Sequence, residues 1–412
     1  MTSIARGSFD RVPATKTQTE VQRPFLEYVA AFFFVLTFVI KAFVDDAYAA
    51  GDVSATVAYT KYATAAIACL AAFACVSKRG ERVFVREFDE LLVIFITFSV
   101  VSMILMLTTG VMSTVVFFEL FKFVMPIILA YSMLNAIDNK TFYRCMVIIL
   151  MVSVAGYLYT LGKDNVSISD FLNADFSTSD SATESSSFSG ISLVLTFYFA
   201  FFRKRKVWLV LATAFCILTF KRMALVFALV ALIISIFAPQ FMSRRVPKRV
   251  VNALKLLTIA FVALWAWMLL PDQEGLFIRI FNDTPRMFTM GRSETFRYLL
   301  SSGFQSYGFG SANETINSVF GMPFEMDLIK IAFELTPLVM ALFVWLYWDV
   351  AGTTLWGVFI IGYFMLNMIT SDSLTSNFCL TLAYITCGLV EYGTPKMLAG
   401  KKVRFSKCGG AR

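Results

Sequence analysis

The sequence predicts an all-α protein that crosses a membrane about twelve times. Of its 412 residues, 58% are hydrophobic and only 16% are charged, whereas a soluble domain has about 45–50% apolar and about 25% charged residues. A bilayer core of about 30 Å needs about 20 helical residues, and several apolar runs reach that length. Composition and run length together predict a polytopic helical membrane protein.

The apolar runs divide the chain into spans and connections. We predict spans at roughly 25–44, 57–76, 89–109, 114–134, 142–161, 188–202, 206–220, 223–240, 253–270, 328–348, 352–370 and 373–392. These spans divide the chain into an N-terminal tail at 1–24, nine spans within 25–270, a large loop at 271–327, three spans within 328–392 and a basic tail at 393–412. The large loop therefore precedes the last three helices.

Basic residues are concentrated on alternate connections. These basic segments are 1–24, 77–86, 139–144, 203–206, 243–249 and 401–407. Because cytoplasmic loops carry the excess of Lys and Arg, both termini are predicted to be cytoplasmic and the opposite connections external. The N-terminal tail has no short apolar core and no small-residue cleavage site, so we predict no cleaved signal peptide.

Two external connections differ from simple turns. The loop 162–187 is acidic and rich in serine, and this polar, low-complexity composition predicts a mobile segment. The loop 271–327 is too long for a connector, and loops of that kind are often functional. Its aromatic and apolar stretches, such as "GLFIRIFND", predict short helices packed at the membrane surface.

Several kinds of site are excluded or disfavoured by composition. The chain has no histidine, which excludes a histidine base, a histidine metal ligand and a Ser-His-Asp triad. The seven cysteines are scattered and show neither metal-ligand spacing nor a disulfide framework. The net charge of +8 is explained by membrane topology rather than by nucleic acid. We predict no metal and no cofactor.

Cations occur on the external side, where the positive-inside rule does not place them. Lys221 and Arg222 separate two apolar runs in "FCILTFKRMALVFALV". The long loop adds Arg279, Arg286, Arg292 and Arg297. A cation within a membrane helix costs about 2.5–3.5 kcal/mol, and less at a helix end, where it reaches the interface. Two interpretations remain open: interfacial anchors, or a binding site for an anion such as a phosphate.

Carboxylates lie close to the same side. Glu119 and Lys122 are three residues apart on one predicted helix, so they form either a structural ion pair or the wall of a polar cavity. Glu325 and Asp327 stand at the external start of the tenth span. They either complement the helix dipole or, facing the arginines, form an acid–base centre.

These features resemble the O-antigen ligase and polymerase superfamily, whose members join or polymerise lipid-linked oligosaccharides. The resemblance covers the topology, the long external loop and two patches, "TFKRMALV" and "GFGSANE…FEMDLIKIAFELTPLV". Ligases carry a His-Asn pair ahead of E-x-G, and here Glu325 and Met326 occupy those positions. This departure favours the polymerase branch. An Arg-x10-Gly spacing described for polymerases occurs twice, at Arg292…Gly303 and Arg297…Gly308.

The resemblance implies a GT-C-like membrane glycosyltransferase of the bacterial inner membrane, with its active site facing the periplasm. Its donor and acceptor would be polyprenyl-diphosphate-linked oligosaccharides, and membrane lipid and a chain-length regulator are further candidate partners. Arg222 and Arg292 would bind the diphosphate, with Lys221, Arg297, Arg279 and Arg286 in supporting positions. Glu325, or alternatively Asp327, would activate the acceptor, and Glu119 and Lys122 would line the substrate cavity.

Three other functions remain open at this stage. An O-antigen ligase would transfer glycan to lipid A-core. A polysaccharide flippase or small-solute transporter is expected to show internal repeats and interrupted spans with a midplane site. The sequence shows no convincing repeat between its halves, and Pro126 and Pro337 lie within predicted spans. A structural or assembly role is the third alternative.

Overall fold

The computed structural model describes residues 24–49, 51–76, 82–163, 185–202, 205–374 and 377–393. Within these ranges the regular secondary structure is helical, apart from one isolated bridge between Arg245 and Thr354. The predicted all-α class is therefore confirmed. The two tails, the basic segments within them and nearly all of the loop 162–187 lie outside the described residues, so the predictions made for them remain predictions.

Among the described residues, nine α-helices precede the long loop and follow the predicted spans in order. They are α1 (Pro24–Ala49), α2 (Ala55–Val76), α3 (Val85–Thr109), α4 (Thr114–Ala136), α5 (Asn139–Lys163), α6 (Ser186–Phe201), α7 (Lys206–Leu218), α8 (Arg222–Phe237) and α9 (Lys248–Met268). Six helices among the described residues are long and apolar enough to cross a membrane, and six shorter apolar helices accompany them. The chain is thus a helical, membrane-embedded protein.

The loop 271–327 contains four short helices, as its composition predicts. These are α10 (Glu274–Phe281), α11 (Pro285–Phe288), α12 (Arg292–Ser301) and α13 (Ser311–Phe320). The rings of Phe277, Phe281 and Phe288 pack together, with centroids 4.6–5.5 Å apart, and each also contacts Trp265 on α9. Aromatic burial therefore fixes the start of the loop to the helix that precedes it.

The predicted tenth span, 328–348, is wrong as a single helix. It is divided into α14 (Asp327–Glu334) and α15 (Pro337–Tyr347). Pro337 lacks a backbone N–H and disfavours helical backbone at the residue before it, and Thr336 adopts a φ of 128°. The Thr336 hydroxyl then accepts a hydrogen bond from the Val339 N–H and caps α15.

The last two helices form the centre of the bundle. They are α16 (Leu355–Thr370) and α17 (Asn377–Glu391), and in α17 every residue from Asn377 to Val390 is buried. Helix α17 packs against α4 and α6. Large apolar side chains instead cover the outside, for example Leu70, Leu107 and Leu338, which are 70%, 70% and 80% exposed. An apolar exterior of this kind is typical of a surface that faces lipid.

Polar contacts join the helix ends in two groups. One group contains the hydrogen bond from Tyr392 to Glu87 and the ion pair between Lys255 and Asp349, and we call it the Asp349 end. The other contains the hydrogen bond from Ser113 to Glu314 and the ion pair between Lys163 and Asp52. Helix α3 begins in the first group and leads into the second, so the groups lie at opposite ends of the bundle. Because Glu325 lies near the second group, we call that the Glu325 end.

A close approach of two helices provides a test of the fold. A Cβ atom at Gly156 on α5 would lie 2.5 Å from the Ala42 carbonyl oxygen on α1, whereas one at Gly162 on the same helix would meet nothing within 4 Å. Overpacking costs about 1–3 kcal/mol, so we expect Gly156→Ala to lower the thermal unfolding midpoint in detergent by several degrees. The control Gly162→Ala should leave it unchanged or raise it. Equal midpoints for the two variants would contradict the packing described here.

Candidate functional site

The centre of the candidate site is an ion pair between Arg292 and Glu325. Both Nε and Nη2 of Arg292 contact the same carboxylate oxygen, the former at 2.5 Å. The two side chains keep 26% and 36% of their surface exposed. The structure therefore brings together an arginine and a carboxylate that are 33 residues apart in sequence, in a position that water or a ligand can reach.

The local backbone explains why these two side chains meet. Arg292 is the first residue of α12 and follows Gly291, whose φ of 85° suits glycine and allows the sharp entry into the helix. Glu325 lies between two fully buried side chains, Phe324 and Met326. Both neighbours of Glu325 are therefore directed into the interior, whereas the Glu325 side chain keeps 36% of its surface exposed. The Phe324 N–H also donates to Asn313 Oδ1 at 2.9 Å.

Arg222 comes from an earlier part of the chain and lies near the turn that precedes Arg292. It is the first residue of α8 and is exposed, and its Nη2 lies 4.0 Å from Met290 Sδ. Lys221 precedes it as the half-buried N-cap residue. A cation is unfavourable at a helix N-terminus, whereas an anion is stabilised there. The position of Arg222 therefore suits the binding of an anion between α8 and α12.

The other predicted arginines do not join this pair. Arg297 donates from Nε to the Leu269 carbonyl at 3.0 Å and from Nη1 to Glu274 at 2.9 Å, so it holds the end of α9 to α10. Arg286 forms an exposed ion pair with Glu294 at 3.3 Å, and Arg279 is exposed in the last turn of α10. These positions favour structural or peripheral roles.

Asp327 departs from the expectation that two carboxylates face the arginines. Its side chain is fully buried and lies 2.9 Å from Lys330 Nζ. It also accepts hydrogen bonds from the backbone N–H groups of Ser373 and Leu374 at 2.5 Å and 2.8 Å. The Asp327 side chain thus points inward and binds the connection between α16 and α17. Of the two predicted carboxylates, Glu325 is the one that lies beside an arginine.

The predicted neighbours Glu119 and Lys122 do form an ion pair, at 2.5 Å on α4. Glu119 also packs under a glycine turn, because a Cβ atom at Gly310 would lie 2.6 Å from Glu119 Cγ. The Gly310 N–H and the Ala312 N–H donate to the buried carboxylate of Glu334, both at 2.8 Å. Gly310 has a φ of 101°, so close approach and backbone conformation both require glycine there.

Sequence reasoning did not assign roles to Lys330 and Glu334. Both are at most 1% exposed, and with Asp327 they occupy positions i, i+3 and i+7 of "DLIKIAFE". That spacing places three charges on one helix face, which is a signal that the sequence contains. The buried charges stabilise the turn and the connections around the site.

The loop itself is held to α4 by a polar contact. Tyr307 donates a hydrogen bond to Glu314 at 2.6 Å, and Ser113, just before α4, donates to the same carboxylate at 3.2 Å. Burial, followed by the hydrogen bond to Glu314, raises the pKa of Tyr307. The phenol therefore remains protonated and keeps its role as a donor at physiological pH.

The arrangement can bind an anion and accept a proton. An incoming phosphate group would compete with Glu325 for the guanidinium of Arg292, and Arg222 would supply a second cation. Released from Arg292, the Glu325 carboxylate would be able to accept a proton from a hydroxyl group. Among the described residues there is no group of three or more His, Cys, Asp or Glu side chains placed to hold a metal ion.

No family model matches the chain, and no curated protein matches its sequence. The fold and the site together define a helical membrane-embedded protein with a cluster of exchangeable charges at one end of its bundle.

The buried charges allow a test of how the site is supported. Removing one partner of a buried ion pair costs about 3–5 kcal/mol because the other charge is left uncompensated. We therefore expect Lys330→Met to lower the thermal unfolding midpoint strongly, and Asp327→Asn added to it to restore part of the loss. Glu325→Gln, at a half-exposed pair, should change the midpoint little. A Lys330→Met protein as stable as the wild type would show that Lys330 does not hold α14.

Proposed function

We propose that this protein is a membrane glycosyltransferase that polymerises polyprenyl-diphosphate-linked oligosaccharide repeat units. The observation that carries the proposal is the partly exposed ion pair between Arg292 and Glu325, with Arg222 in contact with Met290, two residues before Arg292. A diphosphate needs cations that do not lose their charge, and guanidinium groups meet that need. The sequence resemblance to O-antigen polymerases points to the same substrate class.

The proposed topology places this site on the periplasmic face of the bacterial inner membrane. The basic connections described, such as those around Arg86 and Arg245, belong to the Asp349 end. By the positive-inside rule that end is cytoplasmic, so the Glu325 end faces outward. Twelve membrane crossings would then leave both termini in the cytoplasm, with a GT-C-like arrangement of the loop 271–327 over the site.

The proposed reaction moves a glycan from one lipid carrier to another. The acceptor hydroxyl oxygen forms a bond to the anomeric carbon of the donor while the bond from that carbon to the phosphate oxygen breaks. Glu325 takes the proton of the hydroxyl, and the electron pair of the broken bond remains on the polyprenyl diphosphate. Arg222 and Arg292 stabilise that charge by electrostatic preorganisation. The acceptor is the non-reducing end of a second lipid-linked repeat unit.

A transporter is the second candidate, favoured by one specific observation. The interruption between α14 and α15 at Leu335 and Thr336 resembles the discontinuous helices that bind substrates in transporters. The charges at this break, however, already have partners, since Glu334 accepts a hydrogen bond from the Gly310 N–H and Lys330 pairs with Asp327. In a polymerase, the interrupted helix would support the loop 271–327. That role would account for both the break and the engaged charges beside it.

Polymer formation by the purified protein tests the proposal. The substrate would be the lipid-linked oligosaccharide pool extracted from a strain that lacks this protein, and the product would be separated by size. Removing a general base costs about 10²–10⁴-fold in rate, so Glu325→Gln should lose at least 100-fold in activity. Arg292→Gln should also be strongly impaired.

Lys163→Gln provides the matched control, because it removes an exposed charge at the same end of the bundle. It should retain activity within twofold of the wild type. Two results would count against a polymerase: full polymer from Glu325→Gln, or glycan movement across vesicles by the wild type with no polymer formed.

A further inference from the structure

A second polar cluster lies at the Glu325 end, between α1, α2, α4 and α17. We call it the Tyr62 cluster, and its members are Lys41, Asp45, Lys61, Tyr62, Glu119, Lys122 and Asn377. Asp45 pairs with both Lys41 and Lys61, and Glu119 pairs with Lys122. Asn377 Nδ2 donates to the Tyr62 hydroxyl oxygen at 3.4 Å. Four helices therefore contribute charged or polar side chains to one place.

Lys61 and Lys122 are not at the helix ends, where a charge would cost little. Lys61 lies about 9 Å along α2 from its start, and Lys122 about 12 Å along α4, at about 1.5 Å per residue. The side chains are only partly exposed, at 13% for Lys61 and 18% for Lys122. Ionisable groups inside membrane helices are costly and commonly mark a substrate path. The proposed transfer reaction does not use them for proton transfer or for diphosphate binding.

The cluster also contains a polar atom without a partner. Asn377 is 3% exposed, and its Oδ1 accepts no hydrogen bond from any of the described residues. An unpaired buried carbonyl oxygen is destabilising, and such atoms in native proteins call for an explanation. A hydroxyl group of a ligand would supply the missing donor.

Aromatic rings complete the surroundings of Tyr62. Its ring centroid lies 5.5–6.3 Å from those of Phe118, Phe121, Phe378 and Tyr59. Tyr59 and Phe121 are 43% and 42% exposed, so part of this aromatic surface is exposed even though the rings contact one another. Lys122 Nζ lies 4.9 Å from the Phe118 ring centroid. Ammonium groups, carboxylates, an amide and aromatic faces are thus presented side by side.

Sugar rings match this chemistry better than a simple ion does. Each lysine already has a carboxylate partner, so the cluster does not offer free cations to a phosphate. Sugar hydroxyls both donate and accept hydrogen bonds, and the C–H faces of sugar rings are apolar and pack against aromatic rings. We propose that the Tyr62 cluster binds the glycan of a lipid-linked oligosaccharide, as a subsite separate from the arginines that bind the diphosphate.

The position of the cluster is consistent with a substrate shared with the Arg292–Glu325 pair. Glu119 contacts the Gly310 turn, and the Gly310 N–H donates to Glu334 at the end of α14. Glu325 lies two residues before α14 begins. The two sites therefore flank the same short helix. This inference rests on the proposed function, since it assigns the sugar-binding part of the same substrate.

Binding without turnover tests the subsite. The full chain in lipid nanodiscs would be titrated with two probes: undecaprenyl diphosphate, and the lipid-linked oligosaccharide pool from a strain that lacks this protein. The wild type should bind the oligosaccharide-bearing lipid at least tenfold more tightly than the bare lipid. Asn377→Ala and Tyr62→Phe should each reduce this preference to about threefold or less, with the affinity for bare undecaprenyl diphosphate unchanged.

The control Lys163→Met should retain the full preference, because its exposed ion pair with Asp52 lies outside the cluster. Unchanged affinity for the bare lipid also shows that the variants are folded. If both cluster variants keep the full preference, or if the wild type has none, the subsite is overturned. If the preference is lost as expected but the purified wild type forms no polymer, the subsite stands and the polymerase proposal fails.

Discussion

The structure depends on one constraint: a charge inside an apolar bundle must have a partner. Lys330 illustrates it, because this fully buried cation lies 2.9 Å from Asp327 and 4.0 Å from Asp372. Asp327 in turn accepts hydrogen bonds from the connection between α16 and α17. A buried pair of this kind contributes little net stability but is costly to break. As a consequence, α14 and the connection between α16 and α17 are fixed relative to each other.

The same constraint separates supporting charges from those that can exchange partners. Buried groups such as Glu334 are committed to backbone donors of the Gly310 turn. The Arg292–Glu325 pair lies at the surface of this framework and remains partly exposed, so a phosphate group can replace the carboxylate at small cost. In our proposal that exchange binds the diphosphate and releases the base in a single event. In the same proposal, the framework keeps Glu325 beside an arginine until substrate arrives.

The lengths of the apolar runs predict much of the fold, whereas the sequence predicts the candidate site only in part. The pairing of Glu119 with Lys122 was predictable from helical spacing, and the structure confirms it. Pro337 indicated a break in the tenth span, but the apolar residues on both sides of it made the segment resemble one continuous helix. Glu325 and Asp327 are two residues apart, and the turn into α14 decides which one faces the arginines. The contact of Glu325 with Arg292 is tertiary, and no local pattern specifies it, whereas Asp327 pairs with Lys330 at the local spacing i, i+3.

A cryo-EM structure of the protein in nanodiscs with undecaprenyl diphosphate would show whether the diphosphate exchanges with Glu325 at Arg292. We expect density for the diphosphate between Arg222 and Arg292, with the Glu325 carboxylate displaced from the guanidinium and the Asp327–Lys330 pair unchanged. Diphosphate density elsewhere, with the Arg292–Glu325 pair still closed, would contradict this exchange.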